Sequence, residues 1–123
     1  MEVGQFVRTK YGISQYKQHK VIGSEDIKGI LCKDGSRVIF ANIEDIIGEP
    51  SFKIEELLRI GDYVNGYMIN DFDNEYYDEE LDDYVEGFSI VLGNEEQMYS
   101  IPPKDIKTVL TKEQMEAMQY KVV

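Results

Sequence analysis

Short runs of apolar residues, broken at close intervals by turn-forming residues, predict a chain built mainly of β-strands. Val, Ile and Tyr dominate these runs, and such residues pack well on a pleated surface. Asp34 and Gly35 separate two of the runs, which predicts a two-residue type I′ hairpin turn, because both central residues of that turn need positive φ. Residues 93–96 predict a longer hairpin loop. Strands are predicted near residues 5–9, 12–22, 27–33, 37–41, 62–72, 84–92 and 97–101.

Two segments carry helix signals. Ser51 can cap a following run with helical spacing of its apolar residues, which predicts a short linker helix over residues 51–59. Thr111 and Gln114 have the spacing of a capping box, which predicts one or two helical turns near the C-terminus. Helix is therefore expected to be the minor component of the fold.

The two halves of the chain resemble each other. Residues 2–7 resemble residues 59–64, and residues 44–46 resemble residues 104–106 in the same order. Each half starts with an apolar-Gly-polar-aromatic-Val strand, continues through hairpins and ends on an Asp-Ile step. This repetition predicts two small β-barrels or β-meanders in tandem.

The predicted domain organisation follows from this repeat. Residues 1–50 form the first small β-barrel half, residues 51–59 the linker helix, and residues 60–123 the second half, with an acidic insertion at residues 71–86. Because a domain of about 50 residues buries little apolar surface alone, the two halves are expected to pack together.

Negative charge is concentrated in the second half. Residues 1–50 contain seven acidic and seven basic side chains, whereas residues 51–123 contain seventeen acidic and six basic ones, so the whole net charge of -11 lies there. Residues 71–86 alone contain nine acidic residues, three tyrosines and no basic residue. Such a field repels nucleic acid and anionic membranes and attracts basic protein surfaces.

The acidic segment is the candidate partner-binding site. Tyrosines among carboxylates suit an arginine-rich surface, and Phe72, Leu81 and Val85 are candidate apolar anchors. In an extended segment, alternate carboxylates recur at about 6.7 Å and coarsely imitate a phosphate backbone. The alternative is a solvated loop whose charge prevents edge-to-edge pairing of strands. The two imitating ribbons would be Asp71, Asp73 and Glu75, then Asp78, Glu80 and Asp82; the full candidate set adds Tyr76, Tyr77, Glu79, Asp83, Tyr84 and Glu86.

Residues for catalysis are scarce. The one histidine, His19, lies in a predicted strand and is expected to be solvated, and the one cysteine, Cys32, is expected to be a small core residue. No phosphate-binding loop, Cys-x-x-Cys or His-Glu-x-x-His motif occurs. A pair of carboxylates could still act as acid and base, but it needs a cleft that so small a barrel hardly provides. We expect no enzyme activity and no cofactor.

A calcium loop is the sharpest metal hypothesis. Five acidic residues of the segment fall at positions 1, 3, 5, 9 and 12 of a twelve-residue loop that starts at Asp71. Tyr76 occupies the sixth position, where such a loop requires Gly for its sharp turn, and no helices are predicted on either side. The sequence therefore predicts no metal site.

The basic residues of the first half raise two further binding hypotheses. Its lysines and arginines alternate with Tyr11 and Tyr16, as in proteins that stack nucleic-acid bases, but equal numbers of acids offset them. Direct binding of nucleic acid is therefore not expected. A small nucleotide signal could instead be held by Arg8, Lys10 and Arg37, although their spacing is not specific.

The chain is expected in the cytoplasm. Its longest apolar runs are about four residues, compared with the roughly 20 that a membrane-spanning helix needs. It also lacks the charged-then-apolar order of a secretion signal. The sequence leaves open whether the protein is a homodimer and whether the acidic segment is ordered.

Three motifs carry a resemblance to a known group of proteins. They are Val-Gly-x-aromatic-Val at residues 3–7, Ile-Gly-Asp-Tyr-Val-Asn-Gly at residues 60–66, and Lys-Asp-Ile-Lys-Thr-Val-Leu-Thr-Lys-Glu-Gln at residues 104–114 with Tyr-Lys-Val at 120–122. Together they resemble small, mostly uncharacterised proteins from phages and prophages of Gram-positive bacteria. The overall pattern resembles tandem SH3-like small barrels more weakly. Small phage proteins of this type include inhibitors of host defence.

The resemblance and the acidic segment together predict a non-catalytic binding protein. It would block a basic nucleic-acid-binding groove of a host defence enzyme, such as a CRISPR effector nuclease, as an anti-CRISPR-like partial DNA mimic. One alternative is a structural or regulatory phage accessory protein that acts through protein–protein contacts. A further alternative is a sponge for a small nucleotide signal.

Overall fold

The computed structural model describes residues 1–94 and 96–118, and it confirms that the protein is mainly β. Strands, arranged in two antiparallel sheets, account for 49% of the described residues, and helical residues account for 15%. Within the described residues neither sheet closes into a barrel, so the SH3-like barrels of the sequence prediction are not confirmed. The motif at residues 120–122 lies outside the described residues.

The chain divides into two compact units. The first contains Met1–Leu57 and the described residues from Glu113 onward, and the second is Leu58–Lys112. The first unit is therefore built from both ends of the chain, whereas the second is one continuous stretch.

The sheet of the first unit is a four-stranded antiparallel meander. Its strands are β1 (Phe6–Thr9), β2 (Gly12–His19), β3 (Ile27–Asp34) and β4 (Arg37–Phe40), and each pairs with the next. All four lie where the apolar runs predict strands. The predicted hairpin around Asp34 is confirmed as the β3–β4 connection.

The turn of this hairpin differs by one residue from the prediction. Asp34 pairs with Arg37, so Gly35 and Ser36 are the two loop residues. Gly35 has a φ of 63°, but Ser36 does not have a positive φ, which is the type II′ pattern rather than type I′. Gly at the first loop position decides the turn type.

A small apolar cluster fills the first unit. Val7, Ile30 and Cys32 are buried, with Tyr11 and Tyr16 among the partly buried residues packed against them. The expectation that Cys32 is a core residue is confirmed, and burial raises the pKa of its thiol.

The β1 edge of this sheet is covered by later parts of the chain. Phe6 bridges to Ser51 and Thr9 bridges to Ile46. Arg8 is buried between them, and its guanidinium donates to the Leu57 carbonyl at 3.0 Å and to Glu113 Oε2 at 2.5 Å. Charged hydrogen bonds of this kind offset much of the cost of burying a cation.

The two predicted helices have different outcomes. The C-terminal one is confirmed as helix α1 (Lys112–Met118). The predicted linker helix over residues 51–59 is wrong as an α-helix, since only a 3-10 turn, Ile54–Leu57, forms there. Bridging of Ser51 to β1 keeps that end extended and leaves room for a single turn.

The second unit is a five-stranded antiparallel sheet. In chain order its strands are β5 (Tyr63–Val64), β6 (Tyr67–Asp78), β7 (Asp83–Gly93), β8 (Met98–Ile101) and β9 (Val109–Leu110). Across the sheet the order is β8-β7-β6-β5-β9. Val64, Ile69, Ile90 and Leu92 are fully buried and form its core, which therefore lies at one end of the long β6–β7 hairpin.

The predicted single strand over residues 62–72 is wrong, because a tight turn divides it. Asn65 and Gly66 have φ values of 53° and 85°, the type I′ pattern, and they connect β5 to β6. The Asn65 side chain also binds the segment before β9. Its amide donates to the Asp105 carbonyl at 2.9 Å, and its oxygen accepts the N–H groups of Lys107 and Thr108 at 2.8 and 3.1 Å.

The resembling stretches at the start of each half share backbone features. Gly4 and Gly61 have φ values of 100° and 97°, and each precedes a strand with a fully buried valine, Val7 or Val64. A φ of this size is open to Gly and costly for other residues. The Asp-Ile steps likewise both end 3-10 turns, since Asp45 and Asp105 are the last residues of these turns and the following isoleucines are their C-caps.

Replacement of Asn65 tests its place in the second unit. We expect Asn65→Ala to lower the free energy of unfolding by about 2–4 kcal/mol, because three side-chain hydrogen bonds disappear and Ala must adopt a positive φ. Asn65→Gly keeps the turn and should lose less. Urea denaturation of the three proteins measures both differences, and an Asn65→Ala variant as stable as the wild type would contradict this account.

Candidate interaction site: the acidic hairpin

The acidic residues 71–86 form the outer half of the β6–β7 hairpin. Residue pairing runs from Asp71 opposite Val91 outward to Asp78 opposite Asp83, so both arms are hydrogen-bonded strands. Only residues 79–82 form a loop. Six of the nine carboxylates are therefore displayed on a two-stranded β-ribbon, and the other three, from Glu79, Glu80 and Asp82, lie in the loop at its tip. We call this ribbon, residues 71–86, the acidic hairpin.

The regular ribbons of carboxylates expected from the sequence do not form. The register of β6 against β7 shifts between Ile69 and Asp71 and again between Asp73 and Glu75. Such bulges interrupt strict alternation and increase the local twist. The second expected ribbon is also wrong, because Asp78 ends β6 whereas Glu80 and Asp82 lie in the loop.

Hydrogen bonds hold the two bulges. Asn70 donates through its amide to the Gly93 carbonyl at 2.7 Å. Ser89 is fully buried, and its hydroxyl donates to the Glu75 carbonyl at 2.7 Å. These contacts bind the acidic hairpin to the buried end of the sheet.

Like charges lie directly opposite each other on the two arms. Glu75 pairs with Glu86, and Asp78 pairs with Asp83. Directly opposed like charges destabilise a strand pair. Within residues 1–94 and 96–118, none of the nine acidic side chains of the hairpin forms a salt bridge. The hairpin therefore keeps an uncompensated negative field.

A pair of tyrosines lies between the two acidic pairs. Tyr77 and Tyr84 are cross-strand partners whose rings meet edge to face with centroids 5.5 Å apart. They remain 44% and 67% exposed, so each has free ring surface. The Tyr77 hydroxyl donates to Asp82 Oδ1. This bond raises the pKa of Tyr77, with smaller contributions from partial burial and from the negative charge of Glu79.

The loop at the tip has a defined conformation. Asp78 Oδ1 accepts the backbone N–H groups of Glu80 and Leu81 at 2.9 and 3.3 Å. Asp82 closes the loop with a φ of 50°, which Asp tolerates better than most residues. Leu81 is 68% exposed at the apex.

The three predicted apolar anchors differ in exposure. Leu81 is exposed, whereas Phe72 and Val85 are half-buried in the ribbon. Phe72 stacks on Phe88 with ring centroids 5.5 Å apart, so much of its surface is already in contact. Leu81 is consequently the anchor most accessible to a partner.

A groove runs beside the acidic hairpin. Its volume is about 690 Å³. Four tyrosines line it, namely Tyr76, Tyr77 and Tyr84 from the acidic hairpin and Tyr99 from β8. Met98 and Ile101 from β8 add apolar surface. Among the described lining residues, Lys104 is the only basic one. The part contributed by β8 could not be predicted from the sequence, because no local pattern brings residues 98–101 beside the acidic segment.

The basic side chains proposed for a nucleotide pocket are engaged elsewhere. Arg8 is buried against Glu113, Lys10 Nζ lies 3.1 Å from Asp45 Oδ1, and Arg37 Nη2 lies 3.0 Å from Asp34 Oδ2. The Asn42 backbone N–H and Lys10 hold the pKa of Asp45 below its ordinary value. These contacts do not leave a convergent set of cations for an anion.

The expectation that His19 is solvated is wrong. The ring is half-buried, its Nε2 lies 3.2 Å from the Gly29 carbonyl oxygen, and it meets Phe40 edge to face at 5.5 Å. A position at the end of β2 brings it over β3 and β4. His19 therefore has a packing role in the first sheet.

Among residues 1–94 and 96–118, no three His, Cys, Asp or Glu side chains come together in a way that could hold a metal ion. No helix in that part of the chain has the length and apolar character needed to cross a membrane. No family model, no curated protein and no solved structure matches the chain.

Charge reversal at one opposed pair should stabilise the hairpin. Glu86→Lys replaces repulsion from Glu75 with attraction, and we expect the free energy of unfolding to rise by about 0.2–1 kcal/mol at low salt. Glu96→Lys, at an exposed loop position, makes the same charge change away from the pair. Chemical denaturation should show a gain for Glu86→Lys beyond the control. Equal gains would mean that only net charge matters.

Tyr77 should titrate above an ordinary tyrosine while Asp82 is charged. Because its folded pKa is raised, this group contributes stability that is present below about pH 10 and is lost as pH rises through the folded pKa. Asp82→Asn removes the main cause, so the pKa of Tyr77 should fall. Ultraviolet titration of both proteins, each compared with its Tyr77→Phe derivative, isolates this phenol. An unchanged pKa would rule out the Asp82 bond as the cause.

Proposed function

We propose that this protein is a non-catalytic binding protein whose acidic hairpin docks in a basic, nucleic-acid-binding groove of a host protein and blocks nucleic acid there. The observation that carries the proposal is a two-stranded ribbon with nine carboxylates, no basic residue and two directly opposed like-charged pairs. Repulsion of this kind costs stability, and a basic partner surface relieves it. Binding is thus favoured by both the attraction gained and the repulsion removed.

The parts of the hairpin have different roles in this proposal. The carboxylates attract the partner at long range and raise the association rate. Tyr77, Tyr84 and Leu81 are exposed enough to make desolvated contacts, including stacking of a tyrosine ring on an arginine. The groove beside the hairpin offers further tyrosine surface to a partner side chain.

Mimicry of DNA would be partial. DNA carries one charge every 3.4 Å along each strand. The bulges and the four-residue tip make the spacing of carboxylates on the hairpin uneven. Recognition would therefore depend on the total field and the aromatic contacts, and only weakly on a match to individual phosphate positions.

The proposed target is a host defence enzyme in the cytoplasm, with a CRISPR effector nuclease as the concrete case. This choice comes from the resemblance to small phage and prophage proteins, which stays a prediction, as does the weaker resemblance to tandem SH3-like barrels. The electrostatic argument requires only that the target present clustered lysines and arginines.

A second candidate is a structural or regulatory phage accessory protein. The observation in its favour is the exposed apolar surface of the first sheet, where Val38 is 57% and Phe40 is 41% exposed. A nucleotide sponge has less support, because Arg8, Lys10 and Arg37 are each paired with a carboxylate.

Neutralisation of the tip tests the first proposal. The five substitutions are Asp78→Asn, Glu79→Gln, Glu80→Gln, Asp82→Asn and Asp83→Asn. We expect this variant to stay folded and to lose binding to the target, because the steering field and the charged contacts are gone. The measurement is capture from host lysate at low and moderate salt, followed by titration of any nucleic-acid-binding protein recovered.

A matched variant controls for net charge. Glu2, Glu25, Glu44, Glu49 and Glu96 are exposed outside the hairpin, and their replacement by Gln changes the charge by the same amount. This control should keep its binding. Equal loss in both variants would show that net charge is responsible, and unchanged binding of the tip variant would refute a role for the acidic hairpin.

A further inference from the structure

The two outer edges of the first sheet differ, because one is covered by other parts of the chain and the other is open. The β1 edge is covered, since Phe6 and Ser51 exchange backbone hydrogen bonds of 2.6 and 3.0 Å and Ile47 donates to the Arg8 carbonyl at 2.8 Å. No strand among residues 1–94 and 96–118 pairs with the outer edge of β4. Open edges of this kind are templates for pairing with another chain.

The backbone of β4 presents hydrogen-bonding groups on that open edge. Ile39 is paired with Cys32, and the Ala41 N–H donates to the Ile30 carbonyl at 2.9 Å, so these residues direct their polar groups inward to β3. Because direction alternates along an antiparallel strand, Val38 and Phe40 direct their N–H and C=O groups outward.

The side chains of β4 also lack most of the features that prevent pairing at an edge. Natural edge strands usually carry charges, Pro or bulges that prevent pairing. In β4 only Arg37 is charged, and it is already engaged by Asp34 at 3.0 Å. Val38 and Phe40 are exposed, and Leu31 beside Phe40 is 38% exposed on the same face.

We propose that β4 pairs antiparallel with β4 of a second copy of this chain and joins the two four-stranded sheets into one. A two-fold axis at Ile39 places Val38 of each copy opposite Phe40 of the other. Both are then hydrogen-bonded pairs, and each unites a β-branched residue with an aromatic one, a favourable cross-strand combination. The strand is thus complementary to itself.

Charge favours pairing of two copies at the β4 edge over pairing at the β8 edge. Residues 1–50, which contain β4, have seven acidic and seven basic side chains, so two copies that meet at β4 repel each other less than two copies that meet at β8. Pairing through β8 would instead join two units that each carry the acidic hairpin, and their fields would oppose association. In the proposed register no like charges face each other across the axis.

The dimer should be weak. A strand of four residues buries far less than the roughly 800 Å² per partner of a stable interface. Association is therefore expected at high micromolar concentration, and it does not depend on the function proposed for the acidic hairpin.

Sedimentation equilibrium from low micromolar to about millimolar concentration tests this proposal. We expect the mass to rise from 14.3 kDa toward twice that value. Val38→Lys places an ammonium group on the shared face and should weaken association at least tenfold. Ile22→Lys makes the same change at a fully exposed loop residue outside the edge and should leave association unchanged.

Amide hydrogen exchange provides a readout that needs no variant. Exchange at Val38 and Phe40 should slow as concentration rises, while exchange at Ile22 stays constant. A mass of 14.3 kDa at every concentration, equal association of Val38→Lys and wild type, or exchange at Val38 and Phe40 that ignores concentration would each overturn the proposal.

Discussion

Backbone pairing between β6 and β7 is the constraint on which the acidic site depends. It holds Glu75 against Glu86, although the two carboxylates repel each other. The compensation lies at the other end of the same strands, where Ile69, Ile90 and Leu92 are fully buried. A free loop of equal composition would relax by separating its charges. The ribbon cannot, so the apolar end of the hairpin maintains the density of charge at the acidic end.

Tyr77 and Tyr84 stabilise the acidic hairpin and also leave ring surface available to a partner. Tyr77 and Tyr84 cover each other between two repelling pairs, and aromatic cross-strand contacts stabilise such ribbons. The Tyr77 hydroxyl also donates a hydrogen bond to Asp82 at the tip. Residues 71–86 contain no basic side chain that could pair with this carboxylate. The same rings remain partly exposed, so groups that stabilise the free hairpin are also available to a partner.

Local patterns in the sequence predicted strands well and their pairing less well. Alternation and β-branched residues located all four strands of the first sheet, and the charge count located the acidic segment. The Asn-Gly pair at residues 65–66 was missed, because apolar residues on both sides read as one strand. The bulges of β6 and β7 and the approach of β8 to the hairpin depend on residues far apart in sequence, so no local pattern encodes them.

The contact between Arg8 and Glu113 has a consequence for the order of events during synthesis. The two residues are 105 positions apart, and at about 5–20 residues per second the carboxylate is made several seconds or more after the guanidinium. All of Leu58–Lys112 is translated in between. The unit that begins first is therefore completed last, and the unit that carries the acidic hairpin has its full sequence available earlier.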